Sequence, residues 1–274
     1  MSGKTLRLKR CGIQAGRRLV VLPLDHGVTC GPIPGLERPE RVIRMGVEEG
    51  ADALVLHKGL LSHLQHVPRR LPGIFMHLSA STQLGPSLHH KVLIGTVEEA
   101  IRRGADGVSV HVNLGDPKEP RMLEDLGRIG AACADWQMPL LVMIYADPEQ
   151  SKAAAKDSAI AHGARVAAEL GADCVKIPLP AEVKVLEEIA GSLHVPVVAA
   201  GGGRTRDTLA FLERIDQSLE AGASGVAIGR NVFQHEQPRG VLRAITDIVH
   251  GGSRAAAAWE RSLSRTAVQG GISA

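Results

Sequence analysis

The sequence predicts an α/β fold, a closed (β/α)8 TIM barrel, from its length, its apolar runs and a turn that recurs along the chain. The 274 residues, 44% of them hydrophobic, suffice for one large core or two small ones, and such a barrel takes about 250 residues. In the recurring turn, Gly and a small residue precede Asp or Ser, between a helical pattern and an apolar run. The turn occurs at Glu49–Asp52, Arg103–Asp106, Leu170–Asp173 and Ala221–Ser224. Such alternation predicts parallel strands joined by crossover helices.

Eight pairs of a strand and a helix can be placed in order along the chain, as a closed barrel requires. The strands are continuous apolar runs, which is typical of strands covered on both faces. They are predicted at Leu19–Leu24, Ala53–His57, Ile74–Leu78, Gly107–Val112, Leu140–Tyr145, Cys174–Ile177, Val197–Ala200 and Gly225–Ile228. The helices are predicted to begin near Pro39, Leu60, Val97, Pro120, Ser151, Ala181, Asp207 and Pro238.

An open doubly wound sheet is the structural alternative, and it would carry a Gly-rich phosphate loop directly after the first strand. The first strand ends instead in Pro23–Gly27, and the Gly cluster follows the seventh strand at Gly201–Gly203, which favours the barrel. We therefore expect residues 1–274 to form a single barrel domain with a short helical tail from about residue 253. The tail helix, Arg254–Leu263, could cap the barrel or form an oligomer contact.

The composition argues against nucleic acid and membrane as partners. The net charge is +3, charged residues make up 22% and aromatic residues 2%, so neither a basic surface nor a base-stacking surface is indicated. No apolar run approaches a membrane span, and the basic start of the chain lacks the apolar core of a signal peptide. Scattered cysteines indicate reduced thiols in a cytoplasmic protein, not disulfides or a zinc site. These cysteines are Cys11, Cys30, Cys133 and Cys174.

A lysine stands in the middle of the predicted sixth strand. Lys176 lies between the apolar residues Val175 and Ile177. An ammonium group that leaves water is costly unless it is paired or has lost its proton. The neutral amine can attack a carbonyl and form a Schiff base. A structural ion pair with a core carboxylate is the alternative, and this stretch alone leaves both interpretations open.

Ionisable and polar residues stand at the carboxyl ends of nearly all the strands, where barrel enzymes carry their active sites. In strand order they are Asp25, His26, His57, Lys58, His77, His111, Asn113, Tyr145 and Lys176. Asp25 and Tyr145 are candidates for acid–base work or for binding a substrate hydroxyl. Their structural alternatives are a helix N-cap for Asp25 and a half-buried ring for Tyr145.

Three of the histidines raise the question of a zinc site, which would also support aldol chemistry. His57, His77 and His111 stand on different strands, and the sequence leaves their inward or outward facing undetermined. We favour solvated or hydrogen-bonded histidines over metal ligands.

Two loops, after the seventh and eighth strands, predict a phosphate site. Glycines let backbone N–H groups approach an anion, and arginine adds a fixed positive charge. Barrels commonly bind phosphate between these two strands. The residues are Gly201, Gly202, Gly203 and Arg204 in the first loop, and Gly229 and Arg230 in the second. Tight turns without a ligand are the alternative interpretation.

A set of motifs together resembles one family. They are PLDHG at 23–27, GPIPGL at 31–36, HKG at 57–59, TVEEA at 96–100, HVN at 111–113, IY at 144–145, VK at 175–176, AGG at 200–202 and GRNVFQH at 229–235. From about Leu6 to His250, the chain resembles the class I aldolases of the archaeal fructose-bisphosphate aldolase and 2-amino-3,7-dideoxy-D-threo-hept-6-ulosonate synthase group. The resemblance implies a Schiff base at Lys176, an acid–base role for Tyr145, substrate hydroxyls at Asp25 and phosphate at the two loops. No metal or organic cofactor is implied, because the lysine supplies the electron sink.

Within that group the chain resembles the synthase branch in three places: Met143, where the fructose-bisphosphate enzymes tend to have tryptophan, Gly31–Leu36 and Phe233–His235. A bacterial sub-branch joins dihydroxyacetone phosphate to aspartate semialdehyde, which gives a C7 amino keto phosphate for amino-aromatic biosynthesis. Fructose-bisphosphate aldolase, the hept-6-ulosonate synthase itself and a non-catalytic sugar-phosphate-binding barrel are alternatives. The segments Ala146–Glu149 and Ile177–Pro180 depart from the family pattern.

The partners implied by the resemblance are a phosphorylated ketone, an aldehyde and further copies of the chain. The copies would form a ring-type homo-oligomer, such as a decamer. His26, Lys58 and His111 are the candidates for binding the amino acid end of the aldehyde.

Overall fold

A computed structural model describes residues 2–67, 70–146 and 156–270 and shows a closed barrel of eight parallel strands, which confirms the predicted fold. Strands that are neighbours in the sequence are neighbours in the barrel, and the eighth pairs with the first. The strands are β1 (Leu19–Pro23), β2 (Ala53–Leu56), β3 (Gly73–His77), β4 (Gly107–Leu114), β5 (Leu140–Ala146), β6 (Cys174–Pro178), β7 (Val197–Ala200) and β8 (Gly225–Ala227).

Helices surround the barrel, and a 3-10 helix, Lys58–His66, follows β2. They are α1 (Gly3–Arg10), α2 (His26–Cys30), α3 (Pro39–Glu48), α4 (Val97–Arg102), α5 (Glu119–Asp135), α6 (Lys156–Glu169), α7 (Val183–Ser192), α8 (Thr208–Glu220), α9 (Arg230–Phe233), α10 (Pro238–Gly251) and α11 (Ala255–Gly270). The predicted starts agree to within two residues, and the start predicted at Ser151 lies outside the described residues. The tail helix α11 is longer than predicted and packs against α8 and α10. None of the described helices is long and apolar enough to span a membrane.

The aspartates of the recurring turn join neighbouring strands at the amino end of the barrel. The carboxylates of Asp52, Asp106 and Asp173 accept hydrogen bonds of 2.8, 3.1 and 2.9 Å from backbone N–H groups at the starts of β1, β3 and β5. Each turn therefore ties the strand that follows it to the strand before it. This explains why the turn carries an acid in addition to its glycine.

Replacing Asp52 with alanine is expected to lower the free energy of unfolding. The buried carboxylate also lies 2.7 Å from Arg17 and 2.9 Å from His250 Nε2, so its loss leaves a buried N–H group, the Arg17 guanidinium and the His250 ring without their acceptor. We expect a loss of about 2–3 kcal/mol, typical of a buried hydrogen bond to a charged group. Urea unfolding measures it, with Glu124→Ala as the control because Glu124 is exposed. Equal stability of the two variants would contradict this role for Asp52.

Side chains along each strand alternate between the barrel interior and the layer beneath the helices. The interior cluster comprises Leu19, Val21, Ala53, Val55, Phe75, Leu141, Met143, Cys174, Val198 and Ala227, with Cys11 at its base. The intervening residues pack under the helices, as Val20, Leu54, Ile74, Val110, Val142 and Val175 do. Continued to the carboxyl ends, the same alternation turns Asp25, His57, His77, His111, Tyr145 and Lys176 towards the interior.

Candidate active site

Lys176 points into the mouth of the barrel. Its side chain is 7% exposed, and its Nζ lies 3.8 Å from the Sδ of Met143, its register partner on β5. Among the described residues, no carboxylate lies within ion-pair distance of this amine. The structural ion pair left open by the sequence is therefore not observed in the described part of the chain. The surroundings instead suit an amine that acts as a nucleophile.

Asp25 supplies a negative charge beside this lysine. Its Oδ2 lies 3.7 Å from His77 Nε2, and its Oδ1 lies 3.8 Å from His26 Nδ1. Burial raises the pKa of Asp25, but at the acid pH at which this carboxyl titrates the charges of His77, His26, Lys176 and His57 lower it by more, so the net pKa lies below its ordinary value. The carboxylate is therefore ionised at neutral pH and can accept hydrogen bonds from substrate hydroxyls.

The inward-facing histidines are neutral. Burial lowers the pKa of His77 to about 3, against the opposing effect of Asp25. Burial also lowers the pKa of His111 well below its ordinary value. His77 Nδ1 is 2.8 Å from Ser109 Oγ, and His111 Nε2 is 3.0 Å from Asn113 Oδ1. In the described residues, no group of three His, Cys, Asp or Glu side chains has the spacing of a metal site.

Tyr145 lies on the strand next to Lys176. Because Met143 is the register partner of Lys176, Tyr145 stands two residues further towards the mouth on the same inward face. Its ring stacks on His111, with centroids 4.8 Å apart and planes tilted by 31°. This contact holds the phenol at the entrance above the lysine.

One cavity of about 640 Å³ joins the lysine to both predicted phosphate loops. Its volume lies within the range of about 300–1,000 Å³ that is usual for small-molecule sites. The predicted residues that line it are His26, Tyr145, Lys176, Gly201, Gly202, Gly229 and Arg230. Gly229 leaves necessary room, because a Cβ there would lie 2.7 Å from His26 Cε1 and 2.8 Å from the carbonyl oxygen of Pro23.

Asn231 organises the first of these loops. Its Nδ2 donates to the carbonyl oxygens of Gly201 and Gly203, both at 2.8 Å, and its Oδ1 accepts from the backbone N–H of Thr205 at 2.8 Å. The Asn231 amide therefore fixes the orientation of both carbonyl groups. Because the Gly201 N–H donates to the carbonyl oxygen of Ala227 at 3.2 Å, the N–H group of Gly202 is the cavity-lining group of this loop that is left for an anion.

Five predicted site residues do not line the cavity: Asp25 and His111, which are described above, and the three residues Lys58, Gly203 and Arg204. Lys58 Nζ donates to a backbone carbonyl at 2.7 Å and pairs with Glu99 at 3.2 Å, so its charge is already engaged. Gly203 and Arg204 are exposed and do not line the cavity, whereas Arg206 does. The binding roles of these three residues stay predictions.

The sequence analysis missed two polar residues of this region. Asn231 lies within the GRNVFQH motif, in which only Gly229 and Arg230 are predicted to bind phosphate. Lys91 is only 8% exposed, and it directly precedes the apolar residues Val92–Ile94. A lysine next to an apolar run is the same signal that identified Lys176, and it could have identified Lys91.

Comparison with known proteins agrees with this geometry. Residues 19–235 match the model of the DeoC/LacD family of aldolases. The chain is 38% identical over 255 residues, 93% of each chain, to 2-amino-4,5-dihydroxy-6-oxo-7-(phosphonooxy)heptanoate synthase of Streptomyces griseus. It is 39% identical over 251 residues, 92% of each chain, to 2-amino-3,7-dideoxy-D-threo-hept-6-ulosonate synthase 1 of Archaeoglobus fulgidus.

A solved structure of a Schiff-base-forming fructose-1,6-bisphosphate aldolase superposes with a TM-score of 0.81 at 29% identity, over 90% of this chain and 100% of the other. The family matched in this way is the one that the motifs of the sequence resemble, so the predicted resemblance is confirmed. The chain therefore belongs to the DeoC/LacD family of aldolases.

Proposed function

We propose that the protein is a class I aldolase that joins dihydroxyacetone phosphate to aspartate semialdehyde and forms 2-amino-4,5-dihydroxy-6-oxo-7-phosphooxyheptanoate. The observation that carries the proposal is the cavity shared by Lys176, Tyr145 and the two glycine loops. A nucleophilic amine, a proton-transfer group and an anion site are the parts that a Schiff-base aldolase of phosphorylated ketones needs. The Streptomyces griseus relative is a synthase of this same product by name, which supports the proposal.

In the first half of the reaction, Lys176 activates the ketone. Its Nζ attacks the carbonyl carbon of dihydroxyacetone phosphate, and the carbinolamine loses water to give an iminium ion. The positive nitrogen withdraws electrons from the adjacent hydroxymethyl carbon. That carbon then releases a proton to the Tyr145 oxygen or to a water molecule, and an enamine remains.

In the second half, the enamine carbon attacks the aldehyde carbon of aspartate semialdehyde, and a carbon–carbon bond forms. The C=C electron pair of the enamine forms that bond, the nitrogen lone pair restores the C=N bond of the iminium, and the new alkoxide takes up a proton. Water then adds to the iminium carbon, which releases the product ketone and the free amine of Lys176. Ionised Asp25 accepts hydrogen bonds from hydroxyl groups of the substrate and keeps them oriented.

The glycine loops would hold the phosphate, which takes no part in the bond changes. Gly202 and Gly229 offer backbone N–H groups and Arg230 offers a guanidinium, all in the lining of the cavity. Binding at this remote end orients the ketone carbon towards Lys176.

Replacing Asn231 with alanine is expected to raise the KM for dihydroxyacetone phosphate by about 10-fold or more, because the hydrogen bonds that shape the phosphate loop are lost. The kcat should change less, since Asn231 lies away from the reacting carbon. Steady-state kinetics with varied ketone concentration measures the split. The matched control is Asn231→Asp, which keeps the acceptor for Thr205 and loses both donors to the carbonyls. A fall in kcat with an unchanged KM would contradict the assignment.

Borohydride trapping tests the proposed function directly. Incubation with dihydroxyacetone phosphate and borohydride should leave a stable mass adduct, which peptide mapping should place on Lys176. Addition of aspartate semialdehyde without borohydride should yield the C7 product. Absence of the adduct would support the alternative of a barrel that binds a sugar phosphate without converting it, and would overturn the proposal.

A fructose-bisphosphate aldolase is the second candidate, and the structural match to a Schiff-base-forming enzyme of that kind is the observation in its favour. The two candidates share the ketone and differ in the aldehyde. Parallel assays with aspartate semialdehyde and glyceraldehyde 3-phosphate separate them. We expect the higher kcat/KM with aspartate semialdehyde, and the opposite order would assign the second function.

We also propose that the protein acts in the cytoplasm as a ring-type homo-oligomer such as a decamer. The family resemblance supports this assembly. Light scattering coupled to size-exclusion chromatography measures it, and a monomer at micromolar concentration would contradict it.

A further inference from the structure

Lys91 is a second buried lysine at the mouth of the barrel. It is 8% exposed, close to the 7% of Lys176. Its Nζ donates a hydrogen bond of 2.6 Å to the Oγ of Ser81, a neutral acceptor. An ammonium group has three N–H donors, so two remain for another acceptor.

No carboxylate neutralises this ammonium in the part of the chain that the structure describes. The other lysine on this side of the mouth, Lys58, has its counter-ion in Glu99 at 3.2 Å. A buried cation without a paired anion is costly, and buried ionisable groups of this kind cluster at functional sites. The missing partner therefore points to an anionic ligand.

The segment that carries Lys91 is fixed over the barrel mouth. Ser79–Ala80 and Val92–Leu93 form an antiparallel pair directly after β3, which returns the chain to the strand end. Ser81 Oγ donates to a backbone carbonyl of the same segment at 2.7 Å, and this bond orients the hydroxyl towards Lys91. Asn113, on β4, donates to the carbonyl oxygen of His89 at 2.5 Å. Lys91 is thus held in a defined position beside the strand ends.

The charge of Lys91 reaches the reacting groups. Burial lowers the pKa of Lys91, and the negative charge of Asp25 opposes this effect. Lys91 in turn helps to lower the pKa of His111, the ring on which Tyr145 stacks. Lys91 and His111 line one small cavity together with Ser79, and this places Lys91 on the β3–β4 side of the mouth. The phosphate loops lie on the opposite side, after β7 and β8.

We propose that Lys91, supported by Ser81, binds the carboxylate of the aldehyde substrate. This inference rests on the proposed function and deepens it. With the phosphate of the ketone held after β7 and β8, the aldehyde must approach Lys176 from the remaining side of the mouth. A carboxylate-bearing aldehyde would there meet two free N–H donors of a buried ammonium. The site selects acceptors with an anionic group at the end remote from the aldehyde.

The test compares three acceptors of equal carbon number in the Lys91→Met variant. Methionine keeps the length of the side chain and removes its charge. For aspartate semialdehyde and for succinic semialdehyde, we expect kcat/KM to fall by about 10- to 100-fold, the usual loss of a charged hydrogen bond. For butanal, which has no carboxylate, kcat/KM should stay unchanged. Exchange of the hydroxymethyl proton of dihydroxyacetone phosphate with solvent should also stay unchanged.

An equal loss with all three acceptors would show a structural role and would overturn the inference. A loss confined to aspartate semialdehyde would overturn it too, because the amino group would then be the group recognised. The variant Lys58→Met tests the alternative position of the site. If Lys58→Met discriminates among the acceptors and Lys91→Met does not, the carboxylate site lies at Lys58 and the inference is overturned. Lys184→Met, on the exposed face of α7, is the neutral control.

Calorimetric titration with butyrate tests the same site without turnover. Butyrate is an unreactive carboxylate with the carbon number of these acceptors. It should bind the wild-type protein and fail to bind Lys91→Met, even if borohydride trapping were to refute the aldolase. Equal binding to both proteins, or to neither, would overturn the inference. The failure of this inference and the failure of the proposed function therefore give different results.

Discussion

Replacing Lys176 with methionine is expected to abolish aldol turnover while the barrel stays folded. Methionine fills nearly the same volume, and its thioether suits the neighbouring Met143 sulfur at 3.8 Å. The variant has no amine to form the iminium, so the electron sink is lost and not merely weakened. We expect kcat/KM to fall by at least about 10⁴-fold, the scale of losing a covalent nucleophile. Steady-state assays of product formation measure this loss, and borohydride trapping should give no adduct.

The matched control for this prediction is Lys176→Arg, which keeps the positive charge next to Asp25. A guanidinium stays protonated and does not form a Schiff base, so the arginine variant should be as inactive as the methionine variant. Residual activity in Lys176→Arg alone would mean that the lysine acts through its charge. Substantial activity in both variants would remove the nucleophile from the mechanism. Urea unfolding separates either outcome from a loss of folding.

The barrel could be predicted because its signals are local. Three of the four recurring turns combine a glycine that ends a helix with an aspartate that accepts a hydrogen bond from the neighbouring strand, and both residues lie within one four-residue segment. The tail was predicted too short because α11 owes its length to packing against α8 and α10. That packing joins segments distant in sequence, so no local sequence pattern indicates where the helix ends.

The site was predicted less completely, and the reason is again distance along the chain. The facing of His57, His77 and His111 depends on strand bounds, which sequence patterns fix only to within a few residues. A shift of one residue reverses a side chain from the interior to the helix layer. Once Phe75 is seen inside, His77 must be inside as well. The sequence does not show that Glu99 pairs with Lys58 and not with Lys91, because this pairing depends on how the chain folds.

Replacing Tyr145 with phenylalanine is expected to block proton transfer and to leave Schiff-base formation in place. Only the hydroxyl is removed, and the remaining ring can keep its stacking on His111 at 4.8 Å. We expect kcat to fall by about 10²- to 10⁴-fold, the usual worth of a positioned acid–base group. Exchange of the hydroxymethyl proton of dihydroxyacetone phosphate in deuterated water, followed by NMR, should fall by a similar factor. Borohydride should still trap the adduct on Lys176.

The comparison of exchange with trapping assigns the hydroxyl to one step. Trapping requires only that the amine attacks the ketone and that water leaves, whereas exchange requires that the carbon–hydrogen bond breaks. If Tyr145→Phe lost both signals, the hydroxyl would act during iminium formation. If it kept both, a water molecule or Asp25 would carry the proton. His111 is a poor substitute, because burial lowers its pKa well below the ordinary value and its Nε2 is engaged by Asn113. Among these inward-facing groups, the phenol that lines the cavity with Lys176 is therefore best placed to move the proton.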